Sequence, residues 1–239
     1  AKRDWVGYPP TIDENQVPEH PLIAINKGSS KDVDLLIGTN FDENTFFSML
    51  TPELQYIDWN GLTDYINMIL SKLHLDKMQI AKIINEYKNS RNNPFDVLNA
   101  ICTDFTFRFP SIKVAEAQVK YNNNTYMYLF TYRTPVLGGN HGATHALEIP
   151  FVFGTLDETE FGVYPKRDEL NSKISELMMD SWISFARSGN PNHKEIPPWP
   201  TYDLDNRNTL LFGNEIKIEK DPLRTERLAM ETLPFKYKI

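Results

Sequence analysis

The chain has 239 residues, 41% of them apolar and 12% aromatic, with 25 Lys and Arg against 32 Asp and Glu for a formal net charge of −7. That balance belongs to a folded globular protein, excludes disordered and fibrous classes, and has the wrong sign for counterion-driven attachment to nucleic acid or an anionic membrane surface. A single cysteine, Cys102, excludes an intrachain disulfide or multi-cysteine zinc site and, with no apolar run near the ~18 residues of a membrane span and no signal-like stretch in residues 1–30, sets the expectation of a soluble cytoplasmic protein.

In chain order, Pro9, Pro10, Pro18 and Pro21 punctuate an irregular approach to the first periodic segment. Residues 33–39 (VDLLIGT) form a short continuous apolar run, which suits a strand buried on both faces in a parallel sheet. A polar loop, Asn40-Phe-Asp-Glu-Asn44, follows at once. Between residues 61 and 90, Leu62, Tyr65, Ile66, Ile69, Leu70 and Leu73, then Ile80, Ile83, Ile84 and Tyr87, recur at intervals of three and four and predict two amphipathic helices. A further helical stretch covers residues 95–121, with Pro110 either kinking it or starting a new helix.

Residues 124–133 (NTYMYLFTYR) read as a strand, bounded by asparagines and by Pro135. Tyr126, Tyr128 and Phe130 alternate there with Met127 and Leu129, the pattern of a central strand packed on both faces. A long helix then runs from Leu170 to Ala186, entered through Asp168-Glu169 and stopped by Gly189 with Pro191 beyond. Residues 209–212 and 216–218 predict a closing hairpin turning at Gly213-Asn214. Helices returning to strands make the class α/β, with no repeat or flexible linker dividing the chain.

In open α/β sheets, ligands and catalytic groups collect beyond the carboxyl ends of strands. Two such ends carry titratable residues: Asp42 and Glu43 after the first strand, His141 and His145 after the second. A carboxylate bonded to one imidazole nitrogen fixes the tautomer, leaving the other nitrogen free to take a proton from a nucleophile. The plainer reading is a solvated acidic pair and ordinary loop histidines. His20, His74 and His193 read as surface or interface residues, and Cys102 as a small helix filler.

Leu36-Ile-Gly-Thr-Asn-Phe-Asp-Glu-Asn-Thr-Phe-Phe47 and Gly142-Ala-Thr-His-Ala-Leu-Glu-Ile-Pro-Phe-Val-Phe-Gly154 resemble the acid and histidine segments of the carboxylesterase and cholinesterase branch of the α/β-hydrolases, the type-B carboxylesterases. Met178-Met-Asp-Ser-Trp-Ile-Ser-Phe-Ala-Arg-Ser-Gly-Asn-Pro191 and Trp199-Pro-Thr-Tyr202 extend the similarity, which covers about residues 10–223. The resemblance implies the carboxyl-terminal half of an α/β-hydrolase fold, the last strands of a mostly parallel sheet with packed helices, forming part of one domain. It implies Glu43 as the acid and His145 as the base of a serine carboxylesterase triad. It also implies an ester substrate and no cofactor or metal.

The sequence departs from the family at Asn44, where glycine is common, and lacks the Gly-x-Ser-x-Gly elbow. Only Gly138 and Gly142 lie four apart, with Asn140 between them. Because the triad order is Ser, then acid, then His, the expectation is that the serine lies upstream, in an amino-terminal half that is this chain's partner. Two other readings stand beside this one. His141, His145 and Glu148 are spaced as three zinc ligands on one helical face would be, although Gly138, Gly139 and Gly142 argue against helix there. The fold also serves as a non-catalytic binding module lacking the nucleophile, but extracellular modules of that kind are rich in disulfides, and this chain has one cysteine and one glycosylation sequon at Asn123.

Overall fold

The computed structural model describes residues 11–13, 15–157 and 164–235; Pro9 and Pro10 lie outside them. β1 (Leu35–Asn40) and β2 (Thr125–Phe130) pair in parallel, with Leu35 opposite Thr125 and Asn40 opposite Phe130. β3 (Asn208–Phe212) pairs in parallel with β2, and β4 (Lys217–Lys220) pairs antiparallel with β3, giving a sheet of order β1-β2-β3-β4. β2 is thus central, while β1 has one edge unpaired among the described residues and is only half-buried over most of its length. The two faces of β1 are nonetheless covered as expected: Leu36 packs against the core beside α8 and Ile37 against the core beside α6.

Parallel pairing requires a crossover, and the helices between β1 and β2 supply it. α1 (Pro21–Asn26) precedes β1, and α2 (Thr45–Ser48) follows it. α3 (Trp59–Ile69) is capped by Asp58 accepting from the Gly61 N–H; α4 (Lys77–Lys88) starts at an Asp76–Gln79 capping box. α5 (Pro94–Thr103) passes through a π-helical turn, Asp104–Arg108, into α6 (Phe109–Gln118). Pro110 lies in the first turn of α6, directly after the π turn, which matches the expectation that it starts a new helix. After β2 come α7 (Ile149–Phe153) and α8 (Glu169–Ser188), the latter capped by Asp168 and closed by left-handed Gly189. α9 (Arg224–Glu231) ends the described fold. No helix among the described residues is long and apolar enough to cross a membrane.

The two faces of β2 enter different cores, as its alternation requires. Tyr126 and Phe130 pack with Phe151 of α7, Ile174, Leu177 and Met178 of α8, Trp199 and Phe212. Met127 packs on the opposite face with Ile112 and Ala115 of α6. Gly38 is required in β1 because the Tyr128 ring lies across it, 2.4 Å from where a Cβ would stand. A third core joins α3, α4, α5 and α9 and includes Cys102, which is buried as a filler.

Charge holds that helical core to the π turn. Arg108 donates through Nε and Nη2 to both oxygens of Asp104, 2.6 Å each, and the Tyr87 hydroxyl donates to the same carboxylate at 2.5 Å. Glu226 of α9 accepts from Ser90 at 2.7 Å, pairs with Arg91 and lies 3.8 Å from Arg108. Burial pushes the Glu226 carboxyl up, aided by Asp104 and opposed by the two arginines and Ser90. Removing one member strands the rest without water, so Arg108→Ala should cost about 3–5 kcal/mol in equilibrium denaturant unfolding. A loss below about 1 kcal/mol, the range of an exposed pair, would show that the cluster is solvated.

Candidate active site

The parallel register ends β1 and β2 side by side, so the chain leaving Asn40 and the chain following Phe130 emerge at one edge of the sheet. The two segments are then stitched together. Asp42 N–H donates to the Ala143 carbonyl at 2.9 Å, and Ala143 N–H donates back to Asp42 Oδ2 at 2.8 Å. The Thr45 hydroxyl lies 2.7 Å from the His141 carbonyl and 2.9 Å from the Thr144 hydroxyl. Asn40 is fully buried and donates through its side-chain amide to the Thr144 carbonyl at 2.7 Å.

This stitching brings Glu43 and His145 together. Glu43 Oε2 is 2.6 Å from His145 Nδ1, and Glu43 Oε1 accepts the Asn40 main-chain N–H at 2.8 Å. A carboxylate can only accept, so that bond places the imidazole proton on Nδ1 and leaves the lone pair on Nε2. The bond to Glu43 pushes the His145 pKa above its ordinary value; burial opposes this, and the charges of Glu43 and Glu148 reinforce it. The Glu43 side chain is 7% exposed and that of His145 is 39% exposed, so the acid is enclosed while the ring remains accessible.

The ring has aromatic walls. Phe107 lies 5.0 Å from it between centroids, Phe47 5.3 Å and Phe46 6.2 Å, all tilted. Phe107 comes from the π turn and stacks in turn on Phe47 at 6.0 Å. Such walls fix the ring plane and exclude water from one side of it.

The chain matches the model of the carboxylesterase family over residues 1–231. It belongs to that family. The para-nitrobenzyl esterase of Bacillus subtilis is 32% identical over 220 residues, 92% of this chain and 42% of that protein. The phenmedipham hydrolase of Pseudarthrobacter oxydans is 27% identical over 236 residues, 96% of this chain and 45% of that protein. A crystal structure of a Geobacillus stearothermophilus carboxylesterase superposes with a TM-score of 0.79 at 28% identity, covering 94% of this chain and 46% of that one. The fold is therefore that of the α/β-hydrolases, and this carboxylesterase-family chain spans less than half the length of these relatives.

Around that pair, the other titratable residues fall into distinct places. Asp42 faces Arg133 at 3.3 Å, and burial pushes its carboxyl up against the pull of that guanidinium, the Ala143 N–H and Arg91. His141 is buried, and burial lowers its pKa; neither ring nitrogen has a hydrogen-bond partner among the described residues. Glu148 immediately precedes α7 without a side-chain capping bond and accepts from Asn40. A zinc-binding helix is not what this carboxylesterase-family segment forms, because Gly138, Gly139 and Gly142 all take left-handed φ and His145 is bonded to Glu43. His193 is bonded to Ser181, and Asn44 packs its amide on Asn99 and Ser48.

Sequence reasoning singled out neither Asn40 nor the three phenylalanines as parts of the site. Asn40, Phe46 and Phe47 lie inside the acid segment, so their positions next to Glu43 were a usable signal. Nothing in the spacing marks Phe107, which reaches the site only through the π turn.

Gly142 is the tightest point of the stitch. Its φ is +59°, and a Cβ there would stand 2.1 Å from Asp42 Oδ2, whereas Gly138, also left-handed at φ +71°, has open space around it. Gly142→Ala should therefore destabilise the fold by more than the about 1–3 kcal/mol of left-handed strain, and Gly138→Ala only within that range. Equal losses in denaturant midpoints would show that the contact with Asp42 is not what demands glycine.

Proposed function

We propose that this chain is the carboxyl-terminal part of a single α/β-hydrolase domain and supplies the acid, Glu43, and the base, His145, of a serine carboxylesterase. The observation that carries the reading is the 2.6 Å bond between Glu43 Oε2 and His145 Nδ1, with the second carboxylate oxygen tied to the end of β1. It leaves Nε2 as the basic nitrogen, beside an aromatic wall suited to an apolar acyl or alcohol group.

The chemistry follows from that geometry. A serine carried by the part of the esterase outside this chain attacks the ester carbonyl, and His145 Nε2 takes its proton. Glu43 holds the ring and stabilises the imidazolium. His145 then returns the proton to the departing alkoxide, leaving an acyl-serine. Water, deprotonated by the same nitrogen, attacks the acyl carbonyl, and the proton passes back to serine as the carboxylic acid leaves. Each step conserves its protons without a cofactor.

In the complete esterase, His145→Ala should nearly abolish ester turnover, and Glu43→Gln should lower kcat by orders of magnitude by favouring the wrong tautomer. Because the Glu43 bond raises the His145 pKa, the imidazole becomes neutral only at higher pH. The acid limb of kcat/KM should therefore lie above the ~6.5 of a free histidine, with activity falling as pH drops through it. Wild-type kcat in either variant, or a flat profile from about pH 5 to 8, would remove these residues from the mechanism.

A second test locates the nucleophile. Among the described residues β1 has one unpaired edge, so the chain expressed alone should be inactive and poorly soluble, while co-expression with the remaining half should restore hydrolysis of short esters. An organophosphonate label should then map by mass spectrometry to a serine outside residues 1–239. A labelled serine within them, or turnover by the isolated chain, would overturn the assignment; a complete protein that takes no label would be a binding module instead.

A further inference from the structure

Asn40 has every hydrogen-bond donor engaged near the triad pair. Its main-chain N–H goes to Glu43 Oε1 at 2.8 Å, while its side-chain amide goes to the Thr144 carbonyl at 2.7 Å and to Glu148 Oε2 at 2.5 Å. The residue is fully buried, and its own carbonyl oxygen has no partner among the described residues, so the amide end alone anchors it. Two carboxylates from opposite sides thus meet on one asparagine. One bonds His145 directly. The other starts the helix three residues beyond it.

We propose that Glu148 is a positioning residue of the esterase centre, holding Asn40 as the anchor of Glu43 and setting a second negative charge beside the His145 imidazolium. The inference rests on the acid and base reading above. Three features carry it. First, without the Glu148 oxygen one amide N–H of a fully buried Asn40 has no acceptor, and leaving such a donor unpaired is costly enough to move the strand end that holds Glu43. Second, Glu148 is close enough for its charge to favour protonated His145, adding to Glu43. Third, the described residues that line the groove beside Glu148 include no Lys or Arg. β2 presents Tyr128; the Tyr164 hydroxyl reaches the Ala146 carbonyl; α8 presents Met179, Trp182 and Ile183; the acid segment presents Glu43, with Asp42 turned to Arg133. Burial pushes the Glu148 carboxyl above its ordinary value, with the Glu43 charge adding to this and the Asn40 bond and His145 opposing it.

Because an imidazolium develops as serine loses its proton, a fixed anion nearby stabilises the transition state more than the ground state. Glu148→Gln retains an oxygen for Asn40 but removes the charge; Glu148→Asp retains the charge on a shorter arm. The test is the pH dependence of 4-nitrophenyl acetate hydrolysis by the complete esterase carrying each variant. Glu148→Gln should move the acid limb of kcat/KM to lower pH, since the neutral imidazole is no longer disfavoured, and lower plateau kcat about 3- to 10-fold, well short of the loss from Glu43→Gln. Glu148→Asp should keep its limb nearer the parent's. An acid limb in Glu148→Gln that coincides with the parent's would overturn the proposal and leave the triad reading intact. A parent with no ester turnover or no acid limb would overturn both.

Discussion

The parallel pairing of β1 with β2 is the constraint on which the site depends. Glu43 and His145 lie 102 residues apart in sequence, and closing so long a loop costs entropy that no local preference repays. The register with Asn40 opposite Phe130 meets that cost once, through a ladder of main-chain bonds and the side chains packed on both faces of β2. A slip of one residue would turn Tyr126 and Phe130 from the α8 face to the α6 face. Gly38, which admits the Tyr128 ring across the ladder, reinforces the same register. Everything that follows at the strand ends inherits its placement from this pairing.

Beyond the ladder, polar contacts take over where the apolar core stops. The reciprocal Asp42–Ala143 bonds extend the parallel pairing past the last regular residue of β1, so the acid and histidine segments leave the sheet as a tied pair rather than two loops. The Thr45 contacts repeat the tie three residues further along the chain. An imidazole held this way needs little reorganisation when it takes a proton, which is the condition under which fixed charges do most in catalysis. The buried Asp104–Arg108–Glu226 cluster acts further out: it fixes the π turn, and the π turn sets Phe107 on the His145 ring. The aromatic wall is thus coupled to α9 through this buried charge cluster as well as through the apolar core that Phe105 and Phe109 share with Ala229 and Met230.

Residues that announce themselves by period or punctuation were legible in the sequence. Strands β1 and β2, the Gly213-Asn214 hairpin, the capped α8 and the paired amphipathic helices α3 and α4 all follow from apolar spacing with start and stop residues. So did the pairing of strand-end carboxylate with strand-end histidine, through the two family segments. What escaped depends on partners distant in the chain. α9 buries Glu226 and Arg227 beside Ala229 and Met230, so an apolar periodicity cannot reveal it. The apolar run of β1 records the cores that Leu36 and Ile37 meet on its two faces but says nothing of its edge, where the described residues supply one flanking strand. Asn40 looked like the first residue of a polar loop; its role emerges only when Thr144 and Glu148 arrive from the far segment.

His141 marks the boundary of what these residues accomplish by themselves. Its imidazole is 96% removed from solvent judged by the 4% that stays exposed, yet neither nitrogen is bonded among the described residues, and buried polar groups of that kind are ordinarily paired. Glu43 and His145, by contrast, have their bonds in place already. Glu43 and His145 are therefore held by contacts internal to this chain, while the His141 ring and one edge of β1 have no partner among the described residues. That division fits the proposal of a site completed by a serine from outside the chain: the Glu43–His145 pair is set by a short, charge-assisted bond that tolerates little error, and the groups around it keep hydrogen-bonding capacity.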